Sequence, residues 1–258
     1  MRKGYSGMVY FVGAGSGATD LITVRGARLL GEADTVIYAG SLVNPEILSL
    51  CRPDARIFNS AAMTLQEVVE TMRQTEASGG MTVRLHTGDP SIFGAIREQI
   101  DELKKLGIRW EICPGVSSMS AAAAALSAEY TLPEVSQTVI ISRIAGRTPV
   151  PERESLRNLA QIGATLVLFL SASYVREVQI ELLAGAYTEE TPCAIVCKAS
   201  WPDEKVVRGC LGDLPGMAEK SGITKTALII VGNVLGDDYA LSKLYDEQFT
   251  TGYRNAKD

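Results

Sequence analysis

A single histidine, His86, stands among the 258 residues, and that scarcity removes several chemistries at once. Multi-histidine metal sites and HExxH proteases need at least two. A Ser-His-Asp triad has only His86 to use, and no GxSxG elbow supplies its nucleophile. The pattern GxxxxGK followed by Ser or Thr is missing, which argues against ordinary nucleotide hydrolysis. Cysteine is sparse and unpaired in pattern. Cys51, Cys113, Cys193, Cys197 and Cys210 show no CxxC spacing, and they read as reduced, mostly buried thiols. Positive charge is short as well: 25 Lys and Arg against 30 Asp and Glu leave a net −5, which excludes a general nucleic-acid binder. Apolar runs such as Thr165-Leu166-Val167-Leu168-Phe169-Leu170 have strand length, far short of a membrane span. Met1-Arg2-Lys3-Gly4-Tyr5 lacks the apolar stretch of a signal peptide, so the chain is expected in the cytoplasm, without nucleic-acid or membrane partners.

What is present is a globular composition, 46% hydrophobic and 21% charged. Met8-Val9-Tyr10-Phe11-Val12 is a continuous apolar run closed by Gly13, the mark of a parallel strand buried on both faces. Further strands are expected at 35–39, 56–59, 82–86 and 109–113, with helical patterns at 24–33, 45–50, 65–76 and 93–106. This β-α alternation implies a mainly parallel sheet with right-handed crossovers. Pro114-Gly115 breaks it, and an alanine-rich helix is expected at 117–128. The second half offers strands at 138–142, 165–170, 194–198, 206–210 and 227–231. The stretch Ala199-Ser200-Trp201-Pro202-Asp203-Glu204 is too short for a helical crossover, so it predicts a hairpin and a mixed sheet. The expected architecture is two α/β domains, 1–115 and 116–236, with a tail at 237–258 carrying a weak helical stripe of Leu241, Leu244, Tyr245 and Phe249.

Gly13-Ala14-Gly15-Ser16-Gly17-Ala18 satisfies GxGxxG/A directly after a strand. Against a dinucleotide site, the helix is expected to start only near Thr23, and no Asp or Glu follows the second strand at Tyr38-Ala39-Gly40-Ser41 to hold a ribose. A purely structural glycine turn is the competing reading. His86-Thr87-Gly88-Asp89-Pro90 lies between a strand and a helix, where open α/β sheets bind ligands. Gly88 permits close backbone approach, and Asp89 can accept from hydroxyls or amines or simply cap the helix. His86 reads as a packed side chain with no proton-transfer role. In Cys113-Pro114-Gly115-Val116-Ser117-Ser118, a serine caps the next helix or lines a pocket. Cys193 and Cys197 share a strand face, which burial explains better than metal ligation. Arg143, Arg147, Arg153 and Arg157 crowd around Thr148-Pro149-Val150-Pro151, either as a solvated surface or as a site for an anionic ligand.

Taken together, these segments resemble the tetrapyrrole methylase family over about 8–234. The glycine loop with Asp20-Leu21-Ile22-Thr23, His86-Thr87-Gly88-Asp89-Pro90 and Pro114-Gly115-Val116 mark the family at large. Tyr38-Ala39-Gly40-Ser41-Leu42-Val43, Gly146-Arg147-Thr148-Pro149 and Lys198-Ala199-Ser200-Trp201-Pro202-Asp203-Glu204 are similar to the subgroup that methylates precorrin-4 or cobalt-precorrin-4 at ring carbon C-11 in cobalamin biosynthesis. The resemblance implies S-adenosylmethionine as donor, S-adenosylhomocysteine as product, a small tetrapyrrole as acceptor, a homodimer and no protein-bound metal. By position it implies a donor trough between the domains lined by Ser16, Thr87, Gly88, Asp89, Ser117, Ser118, Leu170, Ala199 and Ala227. Arg143 and Arg147 are the candidates for the acceptor's carboxylates. Ser16 stands where much of the family has Pro, and Gly40 where relatives often have Asp, so no catalytic residue is assigned. Two alternatives remain: another C-methyltransferase of the same fold, and a non-catalytic module binding the donor or a tetrapyrrole.

Overall fold

The first apolar run forms strand β1 (Met8–Gly13) in a computed structural model that describes residues 7–40 and 42–256. Met1-Arg2-Lys3-Gly4-Tyr5 and Ser41 lie outside the described residues. β1 is apolar throughout because both its faces are covered: Val9 and Phe11 enter one core, Tyr10 and Val12 another. The chain divides into two compact units, Met1–Ala121 with Lys198–Glu204, and Ala122–Cys197 with Lys205–Asp258. The sequence boundary at 115/116 thus sits beside a division six residues later, and the segment Lys198–Glu204 goes with the first unit.

In the first unit, Thr23 caps helix α1 (Val24–Glu32) by accepting from the Gly26 N–H at 3.0 Å. There follow β2 (Thr35–Tyr38), β3 (Arg56–Asn59), helix α2 (Leu65–Ala77), β4 (Met81–His86), α3 (Ile96–Lys105) and β5 (Arg109–Cys113). A reciprocal Thr64–Glu67 capping box starts α2. The sheet is parallel throughout, in the order β3-β2-β4-β1-β5. Leu29 and Leu30 of α1 join the Tyr10–Val12 face, while Val68 and Met72 of α2 and Ile100 and Leu103 of α3 join the Val9–Phe11 face. Neighbouring strands β1 and β4 therefore send their connections to opposite faces. Their carboxyl ends form the topological switch point, where open α/β sheets bind ligands.

Helix α4 (Ser118–Leu126) precedes the second sheet, whose strands are β6 (Val139–Ser142), β7 (Thr165–Leu168), β8 (Pro192–Cys197), β9 (Lys205–Cys210) and β10 (Ala227–Val231). Their order is β6-β7-β10-β8-β9. Only β6 and β7 run parallel, and β8 and β9 form the hairpin expected from their short connection. Helices α5 (Leu156–Ala160), α6 (Val175–Leu183) and α7 (Leu214–Ser221) place Leu156, Val178, Leu182, Leu214 and Met217 against Leu166, Leu168, Ile195 and Ile229 of this sheet. None of the five cysteines forms a disulfide.

Three local expectations change. The helix read at 93–106 begins at Ile96, because Phe93 and Ala95 adopt left-handed backbone with φ 52° and 48°. The pattern at 45–50 forms a 3-10 helix, Pro45–Leu50, capped by Asn44. The tail stripe forms no α-helix; Lys243–Tyr245 is a 3-10 turn, with Leu241, Leu244 and Tyr245 exposed. Among the described residues no helix is long and apolar enough to cross a membrane.

Candidate functional site

Three loops leave the carboxyl ends of β4, β1 and β5, and they are joined backbone to backbone. The Gly88 N–H donates to the Gly15 carbonyl at 2.7 Å, and the Gly15 N–H donates to the Gly88 carbonyl at 3.4 Å. The Ala14 N–H donates to the His86 carbonyl at 2.7 Å. A Cβ on Gly13 would lie 2.5 Å from the Gly115 Cα, and one on Gly115 would lie 2.1 Å from the Gly88 oxygen. No side chain fits at either position. Gly88 itself has φ 59°, and a Cβ there would face the Ser118 nitrogen at 3.4 Å. That contact is an ordinary one, so the left-handed backbone and not a shortage of space favours glycine here.

Asp89 locks the same junction. Its Oδ2 accepts from the Gly115 N–H at 2.8 Å, and its Oδ1 accepts from the N–H and hydroxyl of Ser91. Burial pushes its pKa up, but these hydrogen bonds outweigh burial and hold the carboxyl below its ordinary value. The cap is on a turn at Ser91 and not on a helix, since α3 starts only at Ile96. Thr87 is half-buried, and among the described residues its hydroxyl makes no hydrogen bond. The Ser117 hydroxyl accepts from the Met119 N–H at 3.4 Å as α4 begins at Ser118.

Ser16 is only 5% exposed, and its hydroxyl meets the Ser200 hydroxyl at 2.8 Å. Ser200 also accepts from the Ala18 N–H at 3.1 Å, while the Trp201 indole N–H donates to the Ser16 carbonyl at 3.0 Å. Ala199 is buried beside them. The segment Lys198–Glu204 thus straps the glycine loop. Sequence reasoning did not assign Ser200 or Trp201 to the site. The signal was the family-like stretch 198–204, which placed Ala199 at the donor site but neither of its two neighbours.

His86, at the end of β4, is 4% exposed with its Nε2 lacking a partner among the described residues. Burial, and secondly the positive charge of Arg84, push its pKa down to about 3, so the ring is neutral and only a weak base at pH 7. Its ring packs 6.0 Å from that of Phe11.

Four further sequence candidates belong to the second unit. Leu170 follows β7 with φ 52° and is exposed, and Ala227 opens β10 opposite Cys197. Arg143 donates to the carbonyls of Ile144, Thr148 and Pro149 at 3.2, 3.1 and 2.7 Å, so its guanidinium ties its own loop together. Arg147 sits exposed on that loop with no hydrogen bond or ion pair among the described residues. The neighbouring arginines are engaged: Arg157 forks onto Glu181, and Arg153 lies 3.5 Å from Glu154.

Residues 8–215 match the family of tetrapyrrole (corrin/porphyrin) methylases. The chain belongs to that family. It is 55% identical, over 96% of each chain, to the cobalt-precorrin-4 C(11)-methyltransferase of Methanocaldococcus jannaschii. Its fold matches the X-ray structure of a cobalt precorrin-4 methyltransferase with a TM-score of 0.89 and 46% identity, covering 92% of this chain and 99% of that one. A uroporphyrin-III C-methyl transferase from Thermus thermophilus, complexed with S-adenyl homocysteine, matches with a TM-score of 0.75 and 28% identity over 89% and 94% of the two chains.

In this methylase a side chain at position 40 would require the exposed Asn59 amide to move. A Cβ there would lie 2.1 Å from Asn59 Oδ1, whose oxygen accepts from the Ala61 N–H at 2.9 Å. The absence of an acid at position 40 is thus matched by a neighbouring amide that occupies the space.

Proposed function

We propose that the chain transfers the methyl group of S-adenosylmethionine to ring carbon C-11 of precorrin-4 or cobalt-precorrin-4, a step of cobalamin biosynthesis. The observation that carries this reading is the 55% identity, end to end, with a cobalt-precorrin-4 C(11)-methyltransferase. The strand-end cradle supports it. The loops packed together at Gly13, Gly88 and Gly115 bring the half-buried Thr87, whose hydroxyl makes no hydrogen bond among the described residues, to the switch point.

When bound, the donor supplies a sulfonium methyl, whose S–CH3 bond breaks as the electron-rich ring carbon forms the new C–CH3 bond. Such a carbon needs no activated serine, cysteine or lysine. What the protein must do is hold both reactants in line and keep water away. Thr87, Gly88, Asp89, Ser117, Ser118, Ala199, Leu170 and Ala227 are the donor contacts of this reading. Ser16 joins them through the shape of its loop, since its hydroxyl and carbonyl are already bonded to the strap. Asp89 acts by fixing the backbone of Gly115, and Arg147 presents a free guanidinium to an acceptor carboxylate. The same reading has the enzyme work in the cytoplasm as a homodimer, with no metal of its own.

The test is calorimetric titration with S-adenosylhomocysteine and NADH, followed by turnover with S-adenosylmethionine and precorrin-4. Saturable S-adenosylhomocysteine binding and release of one methyl equivalent to the acceptor are expected. Saturable NADH binding without any response to S-adenosylhomocysteine overturns the reading.

A further inference from the structure

The strap Lys198–Glu204 carries strain that only its contacts explain. Lys198 and Ser200 adopt left-handed backbone, with φ 51° and 67°. Such conformations in residues other than glycine persist where the surroundings over-determine them, and they gather at ligand clamps. Here the surroundings are specific. The Ser200 N–H donates to Glu204 Oε2 at 2.6 Å, Lys198 pairs with Asp203, and the Lys198 ammonium lies 5.5 Å over the Trp201 ring. All of this internal bonding presents just two groups outward to the glycine loop: the Ser200 hydroxyl and the Trp201 indole.

The glycine loop is shaped to receive them. A Cβ on Gly17 would lie 2.0 Å from the Trp201 ring, so position 17 must be glycine for the indole to reach the Ser16 carbonyl. Asn44 grips the next peptide, its Nδ2 donating to the Gly17 carbonyl at 2.9 Å. Between Ser16 and Ala18, two carbonyls, one N–H and one hydroxyl are therefore fixed by side chains from outside the loop. A glycine-rich segment has the greatest conformational freedom to lose, and holding it ahead of binding lowers the ordering cost that a ligand would otherwise meet.

We propose that Ser200 and Trp201 are positioning residues that hold the loop 16–18 in its donor-binding shape. This rests on the donor reading given above. Neither residue takes part in methyl transfer; each acts through the loop backbone.

The test uses the full chain and S-adenosylhomocysteine as the probe, with thermal melting to establish folding. Trp201→Phe keeps an aromatic ring and removes the N–H, Ser200→Ala removes the hydroxyl, and Gly17→Ala displaces the indole while leaving the strap's own sequence unchanged. Each is expected to weaken S-adenosylhomocysteine binding about three- to tenfold, the range of one or two lost hydrogen bonds. In turnover assays the donor KM rises by the same factor, while kcat and the acceptor KM stay put, because ground-state and transition-state binding of the donor fall together. Trp110→Phe, at the only other tryptophan, leaves donor affinity unchanged and isolates Trp201 emission, which shifts as S-adenosylhomocysteine is added. If Trp201→Phe does not fold, Ser200→Ala and Gly17→Ala decide. Folded variants that bind S-adenosylhomocysteine like the wild type overturn the proposal and leave the donor reading intact. A wild-type chain that does not bind S-adenosylhomocysteine overturns both.

Discussion

The Asp89 carboxylate and the Gly115 N–H, 2.8 Å apart, tie the loop after β4 to the loop after β5. Between them runs the end of β1, with Gly13 pressed against Gly115. The cradle is therefore one unit made from three strand ends, and a change in one loop is felt by the others.

Asp89→Asn replaces one acceptor oxygen with an amide donor and is expected to cost about 1–2 kcal/mol at pH 7. The folded carboxyl titrates below its ordinary value of 3.8, so its contribution is fully present above that value and is lost as pH falls through the folded pKa. Urea unfolding at several pH values checks this. The gap between wild type and variant should be widest at neutral pH and close below about pH 4. A gap independent of pH would mean that the carboxylate charge is not what holds Gly115.

Gly115→Ala is expected to destabilise the chain by about 2–3 kcal/mol or more, because its Cβ would press on backbone atoms that have no rotamer to escape into. Gly216→Ala is the contrast. It lies inside α7 with nothing within 4 Å of the added Cβ, so it should stabilise by about 0.5–1 kcal/mol. Denaturation midpoints of the two variants decide the matter, and equal effects would contradict the close-packed junction.

His86 gives an acid signature. Its folded pKa of about 3 lies below the ordinary 6.5, so the unfolded chain takes up a proton in that window while the folded chain does not. Stability attributable to His86 is therefore lost as pH falls from about 6.5 towards 3, by up to about 1.4 kcal/mol per pH unit. His86→Leu should flatten that slope and also remove the unpartnered Nε2. The same slope in the variant between pH 6.5 and 4 would assign the acid sensitivity elsewhere.

Much of the first sheet could be read from sequence because parallel strands buried on both faces favour apolar runs, as in Val9 to Val12 of β1 or Val36 and Ile37 of β2. The hairpin of β8 and β9 followed from a connection too short for a helix. Helix α7 was missed although its signals were present: Pro215 near its start, Leu214, Met217 and Ala218 on one face, and Gly222 after its end. Helix α5 is too short for periodicity to register. The strap stood out through the family resemblance, but its hydrogen bonds to the glycine loop could not be read. Ser16 and Ser200 are 184 residues apart, and no local pattern encodes a contact between two loops. Arg143 shows the same limit, since an arginine bonded to its own loop carbonyls reads in sequence like one free for a ligand.

That difference predicts different behaviour for the two arginines. Arg147→Ala should weaken acceptor binding roughly ten- to a hundredfold, from the loss of a charge-assisted hydrogen bond, with donor binding unchanged. Arg147→Lys should recover only part, because an ammonium cannot form the bidentate fork. Arg143→Ala should lower acceptor affinity through a loosened loop and also lower the melting temperature, which Arg147→Ala should not. Acceptor titrations and melts of the three variants test this, and unchanged acceptor binding in Arg147→Ala would return the cluster to a solvated surface.

The central claim concerns where the methyl group goes. Purified enzyme is incubated with precorrin-4, with and without cobalt, and S-adenosylmethionine labelled with 13C in its methyl group, and the product is examined by 13C NMR. The account predicts a single enriched methyl attached to ring carbon C-11 and one equivalent of S-adenosylhomocysteine. Enrichment at any other ring carbon, or no transfer by a chain that binds S-adenosylhomocysteine, would contradict it.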